Sequence, residues 1–379
     1  MSLALSTLLY EWRRYLAAVV ALAVAGLLVL AMSGLFMGMS KSFTATVDRS
    51  PADVMVLPPQ SDSLFDTGNG QPRRLIPEIY QNPDVLEVQA LNIGFTGWSN
   101  FPSEGQSAKD SGVQLIIVDP AKGAVTMPSD FSDELILALQ EPFAVVVDRS
   151  SLGKLGVQVG DKAKMNGYTV WVRGVTTGYP NTFNPLSFVS AQTAKLLHQY
   201  NDGPRVGTLV VKLRDPSQAK RVADELNEMG HGQYRAWTRD ALSEASQKSL
   251  LHEGGIVMFL GFAVVVGAFI GIVITWQTLQ GALLANIREF ASLRALGVSM
   301  NSLRLIVMEL SAWVGIAGLA MTTVLTGGVW ALARAFDVPL DFPLFVVVPV
   351  ATTLFLVAVL SGILSLGVLK KSQPADLLR

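Results

Sequence analysis

Few residues in this chain of 379 combine a reactive side chain with a spacing that chemistry could use. The three histidines, His198, His231 and His252, stand far apart with no metal-ligand spacing, and there is no cysteine. Thiolate nucleophiles, thiolate zinc sites and disulfide scaffolds are therefore excluded, and a zinc or di-metal hydrolase has no ligand set to build on. No G-x-x-x-x-G-K-[ST] phosphate loop occurs, and Gly153-Lys154 lacks both the preceding glycine and the following hydroxyl. Two charged features in unusual settings remain. Glu309 lies inside a long apolar run, where an ionisable group is a functional candidate by default. Its position near one end of that run predicts a structural ion pair with Arg304 or Arg13. The second feature is the segment from Asn286 to Gly297, in which Ile287, Phe290, Ala291 and Leu293 are apolar while Arg288, Glu289 and Arg294 carry charge. Gly297 suits the left-handed position that closes a helix. Such a segment is a small rigid knob, and by composition alone it reads as an interfacial turn whose arginines hold lipid headgroups.

The elements that must position these residues follow from an uneven composition. The stretch from Lys41 to Glu253 holds 20 Lys and Arg against 24 Asp and Glu, whereas the other 166 residues hold only 9 and 6. One part resembles an ordinary soluble domain and the rest suits lipid. A near-neutral total with a mildly acidic soluble part argues against nucleic-acid binding, which needs a basic stripe. Crossing a bilayer takes about 20 mostly apolar residues in a helix. Four stretches meet that requirement: 15–39, 256–284, 303–334 and 344–369. The first is too long for a signal-peptide core and lacks a good cleavage site, so it reads as an uncleaved span. Lys and Arg flank the spans unequally: Arg13 and Arg14 precede the first, Arg288, Arg294 and Arg304 lie between the second and third, and Lys370, Lys371 and Arg379 follow the fourth. The positive-inside rule places both termini and the loop 285–302 in the cytoplasm. Residues 40–255 and the loop 335–343 then face the other side. Residues 1–14 read as an interfacial helix on the cytoplasmic face, and 370–379 as a cytoplasmic tail. Small residues in spans three and four (Gly315, Gly318, Gly327, Gly328, Ser361, Gly362, Ser365) are expected to let helices approach closely.

The fold class is therefore membrane α-helical, with four transmembrane helices and a large α+β extracytoplasmic domain inserted between helices 1 and 2. In that insertion, β-branched runs predict strands at Asp53–Leu57, Val113–Val118, Ala144–Val147, Thr169–Val175 and Gly207–Leu213. Asp215-Pro216 predicts a helix start, and Ala219, Val222, Leu226 and Met229 then mark one apolar face. Residues 58–77 and 99–112 read as loops. A stalk helix over 238–253 leads toward span two, with Gly254-Gly255 as a candidate hinge.

Several segments together carry a resemblance. "REFASLRALG" (Arg288 to Gly297) is similar to the "RE-x-G-x-LRALG" loop of MacB/FtsX/LolC-type ABC transporter permeases, with Phe290-Ala291 departing from the usual small aliphatic and glycine. The tail "QPADLLR" (Gln373 to Arg379) resembles that family's terminal "P-x-x-LR", and Val145 to Val175 resembles part of its outer domain. The order of one span, a large outer domain and three spans matches as well. The resemblance implies a permease of the mechanotransmission type, working as a homodimer with a dimer of separate ABC ATPase subunits. ATP and Mg would sit on that partner, so this chain would bind no cofactor and would not itself be an enzyme. The 2–3 loop would be the coupling helix: Arg288, Glu289 and Arg294 would make its polar contacts, Leu293 and Leu296 would pack it, and Gly297 would end it. The expected location is the bacterial inner membrane, and the expected partners are membrane lipids, a periplasmic adaptor and an outer-membrane channel, with no nucleic acid. The family also includes non-transporting activators of periplasmic cell-wall hydrolases and permeases for lipoprotein release or lipid handling. These are the alternatives to export.

Overall fold

The computed structural model describes residues 10, 12–64, 70–102, 107–180, 184–253, 256–285, 298–336 and 338–371. The chain divides into two compact units. One comprises 38–254 with 336–339, and the other comprises 1–37, 255–335 and 340–379.

The first unit is a sheet domain. Its strands are β1 (Val54–Leu57), β2 (Gln71–Pro72), β3 (Val85–Asn100), β4 (Asp110–Val118), β5 (Ala144–Asp148), β6 (Lys162–Met165), β7 (Tyr168–Thr176), β8 (Leu186–Ser190), β9 (Arg205–Val206), β10 (Thr208–Leu213) and β11 (Arg235–Thr238). Nine of them form one sheet in the order β11-β1-β10-β3-β4-β8-β5-β7-β6. β3 has 16 residues and works in two halves. Val85 to Leu91 pairs with β10, while Asn92 to Ser99 pairs with β4. Its far end also pairs with β6 (Trp98 with Met165, Asn100 with Ala163), so the six strands from β3 round to β6 close on themselves. Closure leaves no edge there for foreign strands to join. Alternate residues from all six strands fill the interior, among them Trp98, Leu115, Val145, Ala163, Val172 and Val189. The outward residues Ile116, Val146 and Phe188 pack in a second core with Ile136 and Leu139. Burial on both faces explains why β5 and the second half of β4 are nearly continuous apolar runs. The turn from β6 to β7 is Asn166-Gly167, both with positive φ (49° and 83°), as a two-residue hairpin turn matched to strand twist requires.

The open half, β11-β1-β10 with the start of β3, packs Val54, Val56, Leu209 and Val211 against Val222 and Leu226. Those two belong to a helix (Ala219–Met229) that follows Pro216, whose N-cap Asp215 accepts a hydrogen bond from the Ser217 N–H. β11 is the outermost strand of this half. The side-chain amide of Asn227 covers it, accepting from the Ala236 N–H (2.7 Å) and donating to the Ala236 carbonyl (2.9 Å). The regions expected to be loops are partly ordered. β2 lies within 58–77, a short helix (Leu75–Ile79) begins there, and β3 and β4 reach into 99–112.

The second unit is helical. Helix α1 (Trp12–Asp48) belongs to it up to residue 37. The others are Ile256–Ala285, Met300–Ala335 and Leu344–Lys371. Among the described residues, three helices are long and apolar enough to cross a membrane: Trp12–Asp48, Asn301–Ala335 and Leu344–Ile363. Leu22 of α1 packs with Leu354, Val357 and Ala358, and Ile272 and Leu319 lie against them. Glycines permit these approaches. A Cβ at Gly318 would collide with Leu22, one at Gly315 would press on Ala358, and one at Gly362 would overlap Ser311. Gly327 and Gly328 do not follow that expectation, because a Cβ at either would meet no atom within 4 Å.

Candidate functional site

The sheet domain's first connection begins at the end of α1. Thr44 donates to the Asp48 carboxylate (2.8 Å) in the last turn, and Pro51 prevents the helix from continuing. The next residues are tied down by hydrogen bonds far along the chain. The Asp53 N–H donates to the Val211 carbonyl (2.9 Å), its carboxylate accepts from the Leu213 N–H (2.9 Å), and its carbonyl accepts from the Arg239 N–H (3.3 Å). Arg239, the first residue of the helix Arg239–Glu253, also donates through Nη1 to the Ser50 carbonyl (3.3 Å). β1 and β11 are neighbours with Val54 opposite Thr238. The inbound and outbound segments of this unit are therefore adjacent at one end of one strand pair.

Arg49 is the centre of this junction. Its guanidinium pairs with Asp130 (3.0 Å), donates to the Thr177 carbonyl (3.1 Å) and lies 4.5 Å from the centroid of the Tyr179 ring. Its own carbonyl accepts from both the N–H (2.9 Å) and the hydroxyl (2.8 Å) of Ser129. Tyr179 is buried and donates its phenol proton to Asp130 (2.6 Å), while its N–H donates to Asp148 (2.9 Å). Phe131 and Phe188 meet the Tyr179 ring edge-on at 6.3 and 5.1 Å. Burial, and then the bond to Asp130, raises the Tyr179 phenol far above its ordinary range. The hydroxyl consequently stays protonated and remains a donor. Gly178 has φ +94°, and a Cβ there would overlap the Arg49 guanidinium, so glycine is required on both counts. This arrangement offers no nucleophile, base or leaving-group path. It can fix the first residues after a long helix to the core of the domain.

The segment holding Arg288, Glu289, Leu293, Arg294, Leu296 and Gly297 lies outside the described residues, as do Gly254-Gly255 and the tail from 372. Glu309 and Arg304 both lie on the helix Met300–Ala335. Arg304 reaches Asn301 Oδ1 at 3.4 Å, and among the described residues no ion pair joins Arg304 to Glu309. Five residues along a helix put the two side chains on different faces, since neighbours lie three or four apart. Among the described residues no group of three His, Asp or Glu is placed to hold a metal ion. The Arg49 junction was not expected from sequence. Its only local sign is an arginine between a long apolar helix and a proline, and its partners are remote in the chain.

Two families match the chain. MacB-like periplasmic core domain covers residues 15–229, and FtsX-like permease C-terminal covers 261–374. No curated protein matches. Among solved structures, the periplasmic region of MacB from Actinobacillus actinomycetemcomitans is 13% identical, covering 52% of this chain and 92% of that one, with a TM-score of 0.35. The extracellular domain of the ABC-type transporter YknZ from Gram-positive bacteria is 16% identical, with 49% and 99% covered and a TM-score of 0.32. A permease domain from Porphyromonas gingivalis is 16% identical, with 50% and 89% covered and a TM-score of 0.30. The two family matches together span most of the sheet domain and the C-terminal helices, and this chain belongs to the MacB/FtsX-type ABC transporter permeases.

Proposed function

We propose that this chain is a mechanotransmitting permease of the bacterial inner membrane, in which ATP hydrolysis on a separate ATPase dimer moves the extracytoplasmic domain. It works as a homodimer with four spans per chain and both termini in the cytoplasm, the helix Ile256–Ala285 being the second span. The cytoplasmic segment with Arg288, Glu289 and Arg294 docks into the ATPase, Leu293 and Leu296 pack it, and Gly297 closes it. ATP and Mg stay on the partner. The work of the moving domain is export through a periplasmic adaptor and an outer-membrane channel. One observation carries this reading: the two segments by which the chain enters and leaves the sheet domain, 49–53 and 238–239, are bonded to each other and to the domain core. A displacement delivered through the stalk helix therefore reaches the whole sheet, with no need for a cargo path among the helices.

The test is purification of the chain from its native membrane with native mass measurement, together with charge reversal at Glu289 and Arg294. The expected results are two copies with two ATPase chains and an adaptor, and variants in which ATP hydrolysis persists while export stops. Recovery without an ATPase, or full activity in both variants, would overturn the proposal. Recovery with a cell-wall hydrolase, or with a second, different permease, would replace export by activation or by lipoprotein release.

A further inference from the structure

A cleft of about 310 Å³ opens in the sheet domain where β3 changes partners. That volume sits at the small end of the roughly 300–1,000 Å³ of small-molecule sites. β3 pairs with β10 as far as Leu91 and with β6 only from Trp98. Between them, Asn92 to Thr96 have β4 as their only strand partner among the described residues. The cleft lies at the start of that stretch, against Leu91, Asn92 and Ile93, and is also lined by Gln199, Asn201 and Thr208.

The polar side chains in this lining have bonding capacity to spare. Asn92 is buried; its Oδ1 accepts from the Gly207 N–H (2.9 Å), and its Nδ2 has no partner among the described residues. Asn201 uses its Oδ1 in the same way on the Gly203 N–H (2.9 Å), which leaves its amide protons to spare. Gln199 follows the helix Ala191–Leu196, which ends in a Schellman motif: the Gln199 N–H donates to the Ala194 carbonyl (2.9 Å) and the His198 N–H to the Lys195 carbonyl (3.0 Å). His198 takes the left-handed position of that motif with φ +54°, a conformation costly for a residue with a Cβ. The turn sets Gln199 beside β3, with Oε1 3.8 Å from where a Gly94 Cβ would lie, and its carboxamide has no hydrogen bond among the described residues. Thr208 lies opposite Leu91 across the β3–β10 pair, and cross-strand partners share a face of the sheet. Leu91 lines the cleft from that face, so the Thr208 hydroxyl is on the cleft's side; it is buried and has no partner. A buried hydroxyl left unpaired is costly, which favours a ligand that bonds it.

No charged residue is in the lining. A carboxylate or phosphate would find no cation there and an amine no anion, so the fitting ligand is uncharged. A carboxamide both donates and accepts, and so does a hydroxyl. Three carboxamides and one hydroxyl converge here from three separate segments on a compact volume. That suits hydroxyls ranged round a ring better than the single line of groups on an extended peptide. Leu91 and Ile93 add apolar surface for the C–H groups of such a ring. We propose that the cleft binds the ring of an uncharged sugar, whose hydroxyls bond Asn92, Gln199, Asn201 and Thr208. The site shares no residue with the Arg49 junction and stands independently of the reading of this chain as an export permease.

The experiment titrates glucose, galactose and N-acetylglucosamine into the full chain in a sugar-free detergent and reads binding by saturation-transfer NMR. At least one of these sugars should bind with a Kd of about 1–10 mM, as suits so small a ligand. Glucuronate and acetyl-glycyl-glycine amide serve as the charged and peptide probes, and both should bind more weakly than that sugar. Gln199→Ala should weaken the bound sugar about fivefold, the share of one neutral hydrogen bond. Thr208→Val removes the hydroxyl and nearly keeps the shape, so it should weaken binding by a similar factor. It should also melt no lower than the wild type, because the hydroxyl it loses is buried without a partner. Binding by none of the three sugars would mean that the cleft holds water only and would overturn the proposal. Tighter binding of glucuronate or the peptide, or sugar binding that either substitution leaves unchanged, would overturn it as well.

Discussion

Replacing Arg49 by alanine tests whether the junction fastens the sheet domain to its first connection. Three contacts are lost together. The ion pair with Asp130 is about one-third exposed on both sides (34% each), so water screens it and it is worth about 0.5–1 kcal/mol. The guanidinium over Tyr179 adds about 1 kcal/mol at a half-covered site. A charged donor to the Thr177 carbonyl adds about 1–1.5 kcal/mol. The loss is therefore about 3 kcal/mol, and for a unit of this size each kcal/mol lowers the melting point by about 2–4 °C. Arg49→Ala should melt about 6–12 °C below the wild type when the full chain in detergent is heated and probed by pulse proteolysis between the strands. Arg49→Lys keeps the charge but not the planar fork, so it should recover only a minor part of the loss. A double-mutant cycle with Asp130→Asn should give a coupling of about 1 kcal/mol. A melting shift under about 2 °C with no coupling in the cycle would refute the assignment of Arg49 as a fastening residue.

Two further outcomes follow from the same geometry. Gly178→Ala should cost about 1–2 kcal/mol through its left-handed backbone alone, and it should cost distinctly less in an Arg49→Ala background, where the overlapping guanidinium is gone. A pH series of melting points tests the two buried tyrosines, since burial raises the Tyr234 phenol to about 12 and the Tyr179 phenol beyond that. Because the folded values lie above the unfolded value of about 10, the stabilisation is complete below pH ~10 and is lost as the pH climbs from there through 12. The tyrosinate absorbance contributed by Tyr179 and Tyr234 should then appear together with unfolding, and Tyr179→Phe should flatten the slope above pH ~10.

The elements most legible in the sequence were those whose pattern is local. The five expected strands all appear, lengthened by one to three residues or trimmed by one, because β-branched runs buried on both faces leave little ambiguity. The helix Ala219–Met229 appears where its apolar spacing put it, but Asp215 caps the 3-10 turn Pro216–Gln218 that leads into it, and the α-helix itself starts after Gln218 without a side-chain cap. The long strand β3 was missed. Its sequence, Val85 to Asn100, mixes Glu87, Asn92, Gly94 and Gly97 among apolar residues because its two halves pair with different strands, β10 and β4, and one half closes a barrel. Short strands such as β6 and β11 carry too few residues for any period to emerge. The Arg49 junction was illegible for another reason. A guanidinium that meets Asp130, Thr177 and Tyr179 depends on the folding of segments far apart in the chain, and nothing in the run Arg49-Ser50-Pro51 encodes its partners.

The pairing of β1 with β11 bears on how such a junction would respond to load. Val54, Met55, Val56 and Leu57 face Thr238, Trp237, Ala236 and Arg235 in turn. Because the strands are antiparallel, the inbound segment before Val54 and the helix after Thr238 leave from the same end of the pair. A displacement of one against the other along the strand axis loads all four pairs at once, and strand hydrogen bonds sharing a load in shear resist far more than bonds opened one by one. A lateral displacement would peel the pair from that end, and the contacts that oppose peeling are those found there: Arg239 with the Ser50 and Asp53 carbonyls, and the Asp53 carboxylate with the Leu213 N–H. On the far side of β11, the Asn227 amide stiffens the strand's outer edge. The reinforcement is therefore placed where peeling would start, which is where a domain meant to move as one body needs it, whereas a domain meant to come apart under load would leave that end unbonded.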